Sequence, residues 1–316
     1  MRVLVVIDPL ERLNLETETT LLLVQELERR QHEVWMALPH QVAMSCGLAH
    51  VHARRLSVNA GGQPLVPELA PYEGTLDWFD LILMRQDPPV DDAYRFVAHT
   101  VALARRPLVV NCPRSVLVWN EKLLPLHFPQ FCPPTLVSRR AEQLVTFAQQ
   151  FEKVVLKPLT DCSGRGIRIV ERSQAAREIP RMLAERAPQP IVAQAYLPEV
   201  AAGDKRVFLV DGNAIGAVNR IPAGPGRLAN IHQGASVEAT ELTPREREIV
   251  AEVGAFLRRE QLWLAGLDLI GGYLTEVNVT SPSALRQINA VSGERLERVV
   301  VDFLERKAQE KMALSA

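Results

Sequence analysis

The sequence predicts an α/β protein, with an N-terminal domain built on a parallel sheet and two smaller lobes after it in which strands and helices mix. Three observations predict this. The chain opens with a continuous apolar run, Val3-Leu4-Val5-Val6-Ile7, as in a parallel strand covered on both faces. Helix-spaced apolar residues at Leu21, Val24 and Leu27 follow, and strand-like and helix-like patterns then alternate as far as Val110. Later, two apolar segments, 264–270 and 274–279, meet at Gly271-Gly272 and read as a hairpin.

Taken in order, the first domain is expected to hold a second strand over 32–37, a third at Leu81-Ile82-Leu83-Met84, a helix around 94–105 and a strand at Leu108-Val109-Val110. Residues 45–73 are rich in glycine, proline and histidine without clear periodicity and are expected to form an irregular excursion. The first strand runs into Asp8-Pro9 where a dinucleotide fold would carry its glycine-rich turn, which argues against an NAD enzyme. A boundary near 113–120 separates units 1–119 and 120–200. The second unit is expected to hold a strand ending at Lys157-Pro158, a glycine-rich stretch at 160–167, a helix around 174–186 and an apolar segment at 191–197. The third, 201–316, adds a strand near 206–210, a glycine-rich loop over 220–235, a helix near 244–260 and the hairpin, and no internal repeat is visible.

With 316 residues, 47% of them apolar, the chain can bury one large core or two or three smaller ones, the second being the expectation. Its 36 lysines and arginines against 37 acidic residues leave no basic excess for nucleic acid or an anionic membrane. The opening apolar run is too short for a signal-peptide core or a membrane span. Cys46, Cys112, Cys132 and Cys162 form no Cys-x-x-Cys pair and have no histidine at metal spacing. A cytoplasmic protein is expected.

The hairpin carries isolated oxygen ligands. Glu276 and Asn278 share one face by the period of two. A three-residue link, Gly271-Gly272-Tyr273, would set Asp268 opposite Glu276 and Gly266 opposite Asn278; a two-residue Gly-Gly turn would send Asp268 to the other face. Such ligands suit magnesium, although polar residues that merely face water would show the same spacing. Lys157 ends an apolar strand beside a glycine-rich loop in which Gly164 and Gly166 could turn backbone N–H groups toward phosphate oxygens, or could simply form a turn. Lys122 alone reads as a solvated charge near a helix start. Arg206 and Arg220 are ordinary by spacing, though each lies beside a strand or loop that would face the hairpin ligands, where a fixed guanidinium could hold a carboxylate or phosphoryl oxygen. His232 and Cys162 have no visible base or ligand partner and read as solvent-facing loop residues.

Taken in order, Arg85-Gln86-Asp87-Pro88-Pro89, Asn120-Glu121-Lys122, Leu156-Lys157-Pro158, Gln194-Ala195-Tyr196-Leu197-Pro198, Gly203-Asp204-Lys205-Arg206, Arg220-Ile221-Pro222, Gly266-Leu267-Asp268 and Thr275-Glu276-Val277-Asn278-Val279-Thr280-Ser281-Pro282 resemble bacterial glutathione synthetases over nearly the whole chain. The resemblance implies a parallel-sheet domain followed by a two-lobed ATP-grasp domain. It implies that Lys122, Lys157, Gly164, Gly166 and Asp204 hold ATP, with Gln194, Ala195, Tyr196 and Leu197 as the hinge against adenine. Asp268, Glu276 and Asn278 would hold two magnesium (Mg2+) ions, with manganese (Mn2+) able to substitute. Arg206 and Arg220 would steady an acyl phosphate, and Arg85, Asn230 and Ser281 would place substrate. The implied substrates are γ-glutamylcysteine and glycine, or analogues of them, and the implied assembly is a homo-oligomer.

Two segments depart from the family pattern. Cys162 and Arg165 stand where that loop usually has glycine, and Arg227-Leu228-Ala229-Asn230 carries one residue more than the family's lid motif. A related ligase with another amine or acid, and a nucleotide-binding regulatory protein without turnover, are the alternative readings.

Overall fold

The computed structural model describes residues 1–161, 164–224 and 235–315. The first part folds as β1 (Arg2–Ile7), α1 (Thr19–Arg29), β2 (Glu33–Ala37), β3 (Val42–Ser45), β4 (Leu48–Arg55), β5 (Ser57–Val58), β6 (Pro64–Leu65), β7 (Tyr72–Thr75), β8 (Leu81–Arg85), α2 (Asp92–Val101), β9 (Leu108–Val110) and α3 (Pro113–Val118). Its sheet runs β3-β4-β2-β1-β8-β9, parallel from β2 to β9, with β7 also paired to β4. Val3, Val5 and Ile7 pack against Leu21, Val24 and Leu27 of α1, while Leu4 and Val6 pack with Tyr94, Val97 and Val101 of α2. The two helices therefore cover opposite faces, and the sheet changes winding direction beside β1.

Residues 45–73 correct the expectation of an irregular excursion, because most of them belong to the antiparallel strands β3 to β7. The alternation exists, but it is carried by Ala49, Val51 and Ala53, small buried residues separated by His50 and His52. The second helix starts at Asp92, earlier than expected, since Asp91 caps it by accepting from the Tyr94 N–H at 2.9 Å, and it ends at Val101.

The small lobe comprises β10 (Thr135–Ser138), α4 (Ala141–Ala148), β11 (Lys153–Pro158), β12 (Arg168–Glu171), α5 (Ala175–Arg186) and β13 (Ile191–Ala195), in an antiparallel sheet of order β10-β13-β11-β12. Its core of Leu144, Val154, Leu156, Val170, Ile179 and Ala193 among others is drawn from residues 144–193 alone. Because Val154 and Leu156 point into that core, the period of two turns Val155 and Lys157 to the opposite, open face.

The last part holds β14 (Asp204–Val210), β15 (Asn213–Ile221), β16 (Ser236–Ala239), α6 (Pro244–Arg259), β17 (Leu264–Ile270), β18 (Tyr273–Asn278), α7 (Leu285–Ser292) and α8 (Glu297–Ser315). Its antiparallel sheet runs β16-β15-β14-β17-β18. Helix α6 begins in a capping box between Thr243 and Glu246, with Pro244 in its first turn. β10, α4, β15, α7 and α8 were not anticipated from the sequence; β15 is half-buried along most of its length and so lacks clean alternation. Among the described residues no helix is long and apolar enough to cross a membrane.

The first and last sheets share both large cores. Leu4, Val6 and Ile82 pack in one cluster with Val207, Leu267 and Ile249, and Val3 and Val5 pack in the other with Phe208, Val300 and Leu304. Asn111, just past β9, joins them by polar bonds. Its amide nitrogen donates to the carbonyls of Leu264 and Val279, each at 2.7 Å, and its oxygen accepts from the Leu264 N–H at 2.9 Å. Asn111→Ala would orphan three backbone groups in a buried seam, and each such group costs about 1–3 kcal/mol. Urea denaturation should therefore show a loss of about 3 kcal/mol; a loss under about 1 kcal/mol would contradict this role.

Candidate active site

A cavity of about 970 Å³ opens between the free face of the small lobe, the polar end of the last sheet and the carboxyl ends of β1 and β8. Arg85, Lys157, Gly164, Gln194, Ala195, Tyr196 and Leu197 line it, as do Asp204, Arg206, Arg220, Asp268, Glu276, Asn278 and Ser281. Asn230 lies outside the described residues, as do Cys162, Arg227 and His232. Gly166 stands apart from the lining: a side chain there would meet Asp161, Pro158 and Arg186 at under 3 Å, and its φ is +69°. Packing of the loop explains that glycine.

Both expectations for the hairpin are partly realised. The turn has two residues, Gly271 and Gly272, at φ of +57° and +77°, and Ile270 pairs with Tyr273. That turn alone would face Asp268 away from Glu276. One residue later the register shifts, because Thr275 is an extra residue on β18, so Asp268 opposes Glu276 and Gly266 opposes Asn278. The Thr275 hydroxyl donates to the Asp268 carbonyl at 3.0 Å and fixes the bulge. The Asn278 amide lies 3.3 Å from the Asp268 carboxylate.

The row continues across the sheet, since Asp268 also faces Arg206 on β14. Arg206 donates to both carboxylate oxygens, at 2.6 and 3.1 Å, and Arg220 reaches the same carboxylate at 3.0 Å. Gly266 permits this approach: a Cβ there would stand 3.1 Å from the Arg206 side chain. Burial opposes the charge on Asp268, but Arg206 and Arg220 outweigh it and hold the carboxyl well below the usual range. Arg220 also pairs with Asp204 at 2.7 Å. For Asp204 burial prevails against Arg220, and with the nearby Asp268 charge it pushes the group up to about 6; its Oδ1 is buried without a partner.

Lys122 is buried, contrary to its reading as a solvated charge. Its ammonium bonds the Asp161 carbonyl and stands 3.4 Å from Glu276, so it ties the small lobe's loop to the hairpin. Glu121 holds it there: one carboxylate oxygen of Glu121 accepts from the N–H groups of Val279 and Thr280 at 2.8 and 3.0 Å and from the Thr280 hydroxyl at 2.8 Å. Nothing in the sequence spacing marked Glu121. The Lys157 side chain makes no hydrogen bond or ion pair among the described residues, and burial lowers its pKa against the pull of Glu276. An uncompensated ammonium facing a cavity is a ready partner for phosphate.

Hard oxygen donors from two carboxylates and one amide suit a magnesium-like cation, and the orphaned Asp204 oxygen is a further acceptor at this end of the cavity. The two arginines keep Asp268 ionised, so a metal would not have to displace its proton.

Residues 1–116 match the model for the prokaryotic glutathione synthetase N-terminal domain, and residues 121–293 match that for the prokaryotic glutathione synthetase ATP-grasp domain. The chain is 38% identical to a glutathione synthetase of Parasynechococcus marenigrum, covering 96% of this chain and 99% of that one. It is 37% identical to one of Bradyrhizobium diazoefficiens, covering 97% and 98%. Among solved structures it resembles a RiPP-associated ATP-grasp ligase of Chryseobacterium gregarium, at TM-score 0.67, 13% identity and 97% coverage of both chains. It also resembles the D-cycloserine synthetase DcsG, at TM-score 0.64, 14% identity and coverage of 98% and 99%. These two likenesses bear on the fold, which is an α/β fold with an ATP-grasp domain.

Asp204 makes a pH prediction. Its native pKa lies above the ordinary 3.8, so the native state binds its proton more tightly than the unfolded chain does. The resulting stability is fully present below about pH 4 and is lost as pH rises through 6. Asp204→Asn removes that loss, so the variant's Tm minus the parent's, measured without nucleotide, should rise between pH 4 and 7. A difference that stays flat or falls would contradict the assignment.

Proposed function

The chain belongs to the prokaryotic glutathione synthetase family, and on that premise we propose how its residues divide the work of an ATP-dependent ligase that joins γ-glutamylcysteine to glycine. ATP and a divalent cation are the family's requirements; the proposal makes the cation magnesium, two ions per site, with manganese able to replace it. It further takes the protein to be cytoplasmic and homo-oligomeric, with units 1–119, 120–200 and 201–316. The separate core drawn from residues 144–193 supports a distinct middle unit, although Leu124, Phe128 and Phe131 pack in the core that the first and last sheets share.

In the proposed reaction the cysteinyl carboxylate attacks the terminal phosphorus of ATP, ADP leaves, and the amine of glycine then displaces phosphate from the acyl phosphate. Lys122 and Lys157 hold ATP phosphates, with Gly164 and Gly166 in the adjoining loop and Asp204 as a further nucleotide contact. Residues Gln194, Ala195, Tyr196 and Leu197 form the adenine hinge. Asp268, Glu276 and Asn278 hold the metal, which would supply charge neutralisation for the phosphoryl oxygens. Arg206 and Arg220 face the oxygens on which charge grows in both steps. Arg85 and Ser281 place the peptide acid, and Asn230 the acceptor.

The observation that carries this reading is the cross-strand row of Glu276, Asp268 and Arg206, with Arg220 beside it and Lys157 unpaired on the cavity's opposite wall. Two carboxylates, two guanidinium groups and a free ammonium around one space serve phosphoryl transfer to a carboxylate, where alignment and electrostatics do most of the work.

Asp268 is a poor residue to remove as a test, because it is the only carboxylate paired with Arg206 among the described residues. Glu276 has a single ion pair among the described residues, to Lys122 at 3.4 Å, and is partly exposed. Glu276→Ala should keep the parent's circular dichroism and Tm within a few degrees while magnesium-dependent turnover falls about a hundredfold or more. Turnover within about threefold of the parent at the same magnesium concentration would remove Glu276 from the metal site.

A further inference from the structure

Helix α5 ends against the glycine-rich loop that follows β11. Arg186, its last residue, pairs with the Asp161 carboxylate at 2.8 Å, and Gln189 just beyond it accepts from the Thr160 hydroxyl at 3.0 Å. The start of the loop is held from the other side as well, since Asn120 donates to the Leu159 carbonyl at 3.3 Å and Lys122 to that of Asp161. Arg186 has no other ion pair among the described residues. A cation in the last turn of a helix is favourable by itself, so the pair alone assigns no role.

The role comes from Gly166, which lies against this ion pair where the chain returns toward β12. A Cβ there would stand 2.6 Å from the Arg186 guanidinium and 2.8 Å from the Asp161 carboxylate, so only glycine lets the backbone pass the pair this closely. Asp161 and Gly166 are the two ends of the loop, and the ion pair joins them. Gly164, Arg165 and Ile167, at its returning end, line the cavity together with Lys157, and the Ile167 N–H donates to the Gly164 carbonyl at 3.4 Å. Arg186 does not line the cavity, so it reaches a ligand only through what it holds.

We propose that Arg186 is a positioning residue for the nucleotide: through Asp161 it clamps both ends of the loop, so that the loop meets the phosphates already arranged. The inference rests on the proposed assignment of this loop to ATP and adds a residue from outside the cavity that tunes its grip. Fixing the ends of a loop lowers the ordering cost that binding must offset. Loss of the clamp therefore falls on the phosphates and spares the adenine end, which the hinge at 194–197 holds separately in the proposed reading.

The test compares two ligands that differ only in their phosphates: ADP with magnesium, titrated by calorimetry, and adenosine, measured by its competition with ADP. Arg186→Gln should weaken ADP about fivefold and leave adenosine within about twofold of the parent. Arg186→Lys, which keeps the charge, should recover most of the lost ADP affinity. Adding Asp161→Asn to Arg186→Gln should weaken ADP no further than the worse single variant, because both remove the same pair. The pair is partly exposed, so Tm should stay within a few degrees throughout. If Arg186→Gln binds ADP as the parent does, if it loses ADP and adenosine equally, or if Arg186→Lys recovers nothing, the clamp falls and the proposed function stands. If the parent binds neither ligand, both fall.

Discussion

The site is organised around one buried carboxylate. Asp268 is fixed from the sheet on one side by the Thr275 bulge and gripped from the other by Arg206 and Arg220, which have no other acidic partner than Asp204 among the described residues. Two guanidinium groups buried without it would be a cost of several kcal/mol, on the order of a broken buried ion pair. With it, they are rigid, correctly aimed and always charged. The same contacts keep Asp268 ionised, which a metal ligand requires. Position, charge state and the aim of both arginines thus follow from one register.

The surrounding architecture divides into a rigid frame and a part with its own core. The first and last sheets share two cores and the Asn111 seam, so the carboxylate row and the carboxyl ends of β1 and β8 hold fixed places relative to each other. The small lobe shares no core with them and meets the site through polar contacts, notably Lys122 to Asp161. Such a lobe can move as a unit over the cavity, which suits a reaction whose reactive intermediate must be kept from water.

Much of this was legible in the sequence, and what was missed has physical reasons. Strands buried on both faces, such as β1 and β8, announce themselves as unbroken apolar runs, and the metal-type ligands stood out as polar residues in an apolar hairpin. The antiparallel extension over 45–73 was missed because alanine and histidine carry its alternation. The hairpin register could not be decided, because its outcome depends on a bulge, and Thr275 carries no local mark of one. Glu121 and Asn111 were invisible in their structural roles, since each acts through partners more than a hundred residues away in the chain. Lys122 was misjudged for the same reason: burial of a lysine depends on distant segments that close over it.

The most direct test of the account follows oxygen. Purified protein with ATP, magnesium, glycine and γ-glutamylcysteine labelled with 18O in its cysteinyl carboxylate should release phosphate carrying one labelled oxygen for each tripeptide formed. That result requires the carboxylate to have been phosphorylated and then displaced by the amine. Tripeptide formed with unlabelled phosphate would refute the acyl phosphate route, and labelled phosphate without a glycine adduct would refute glycine as the acceptor.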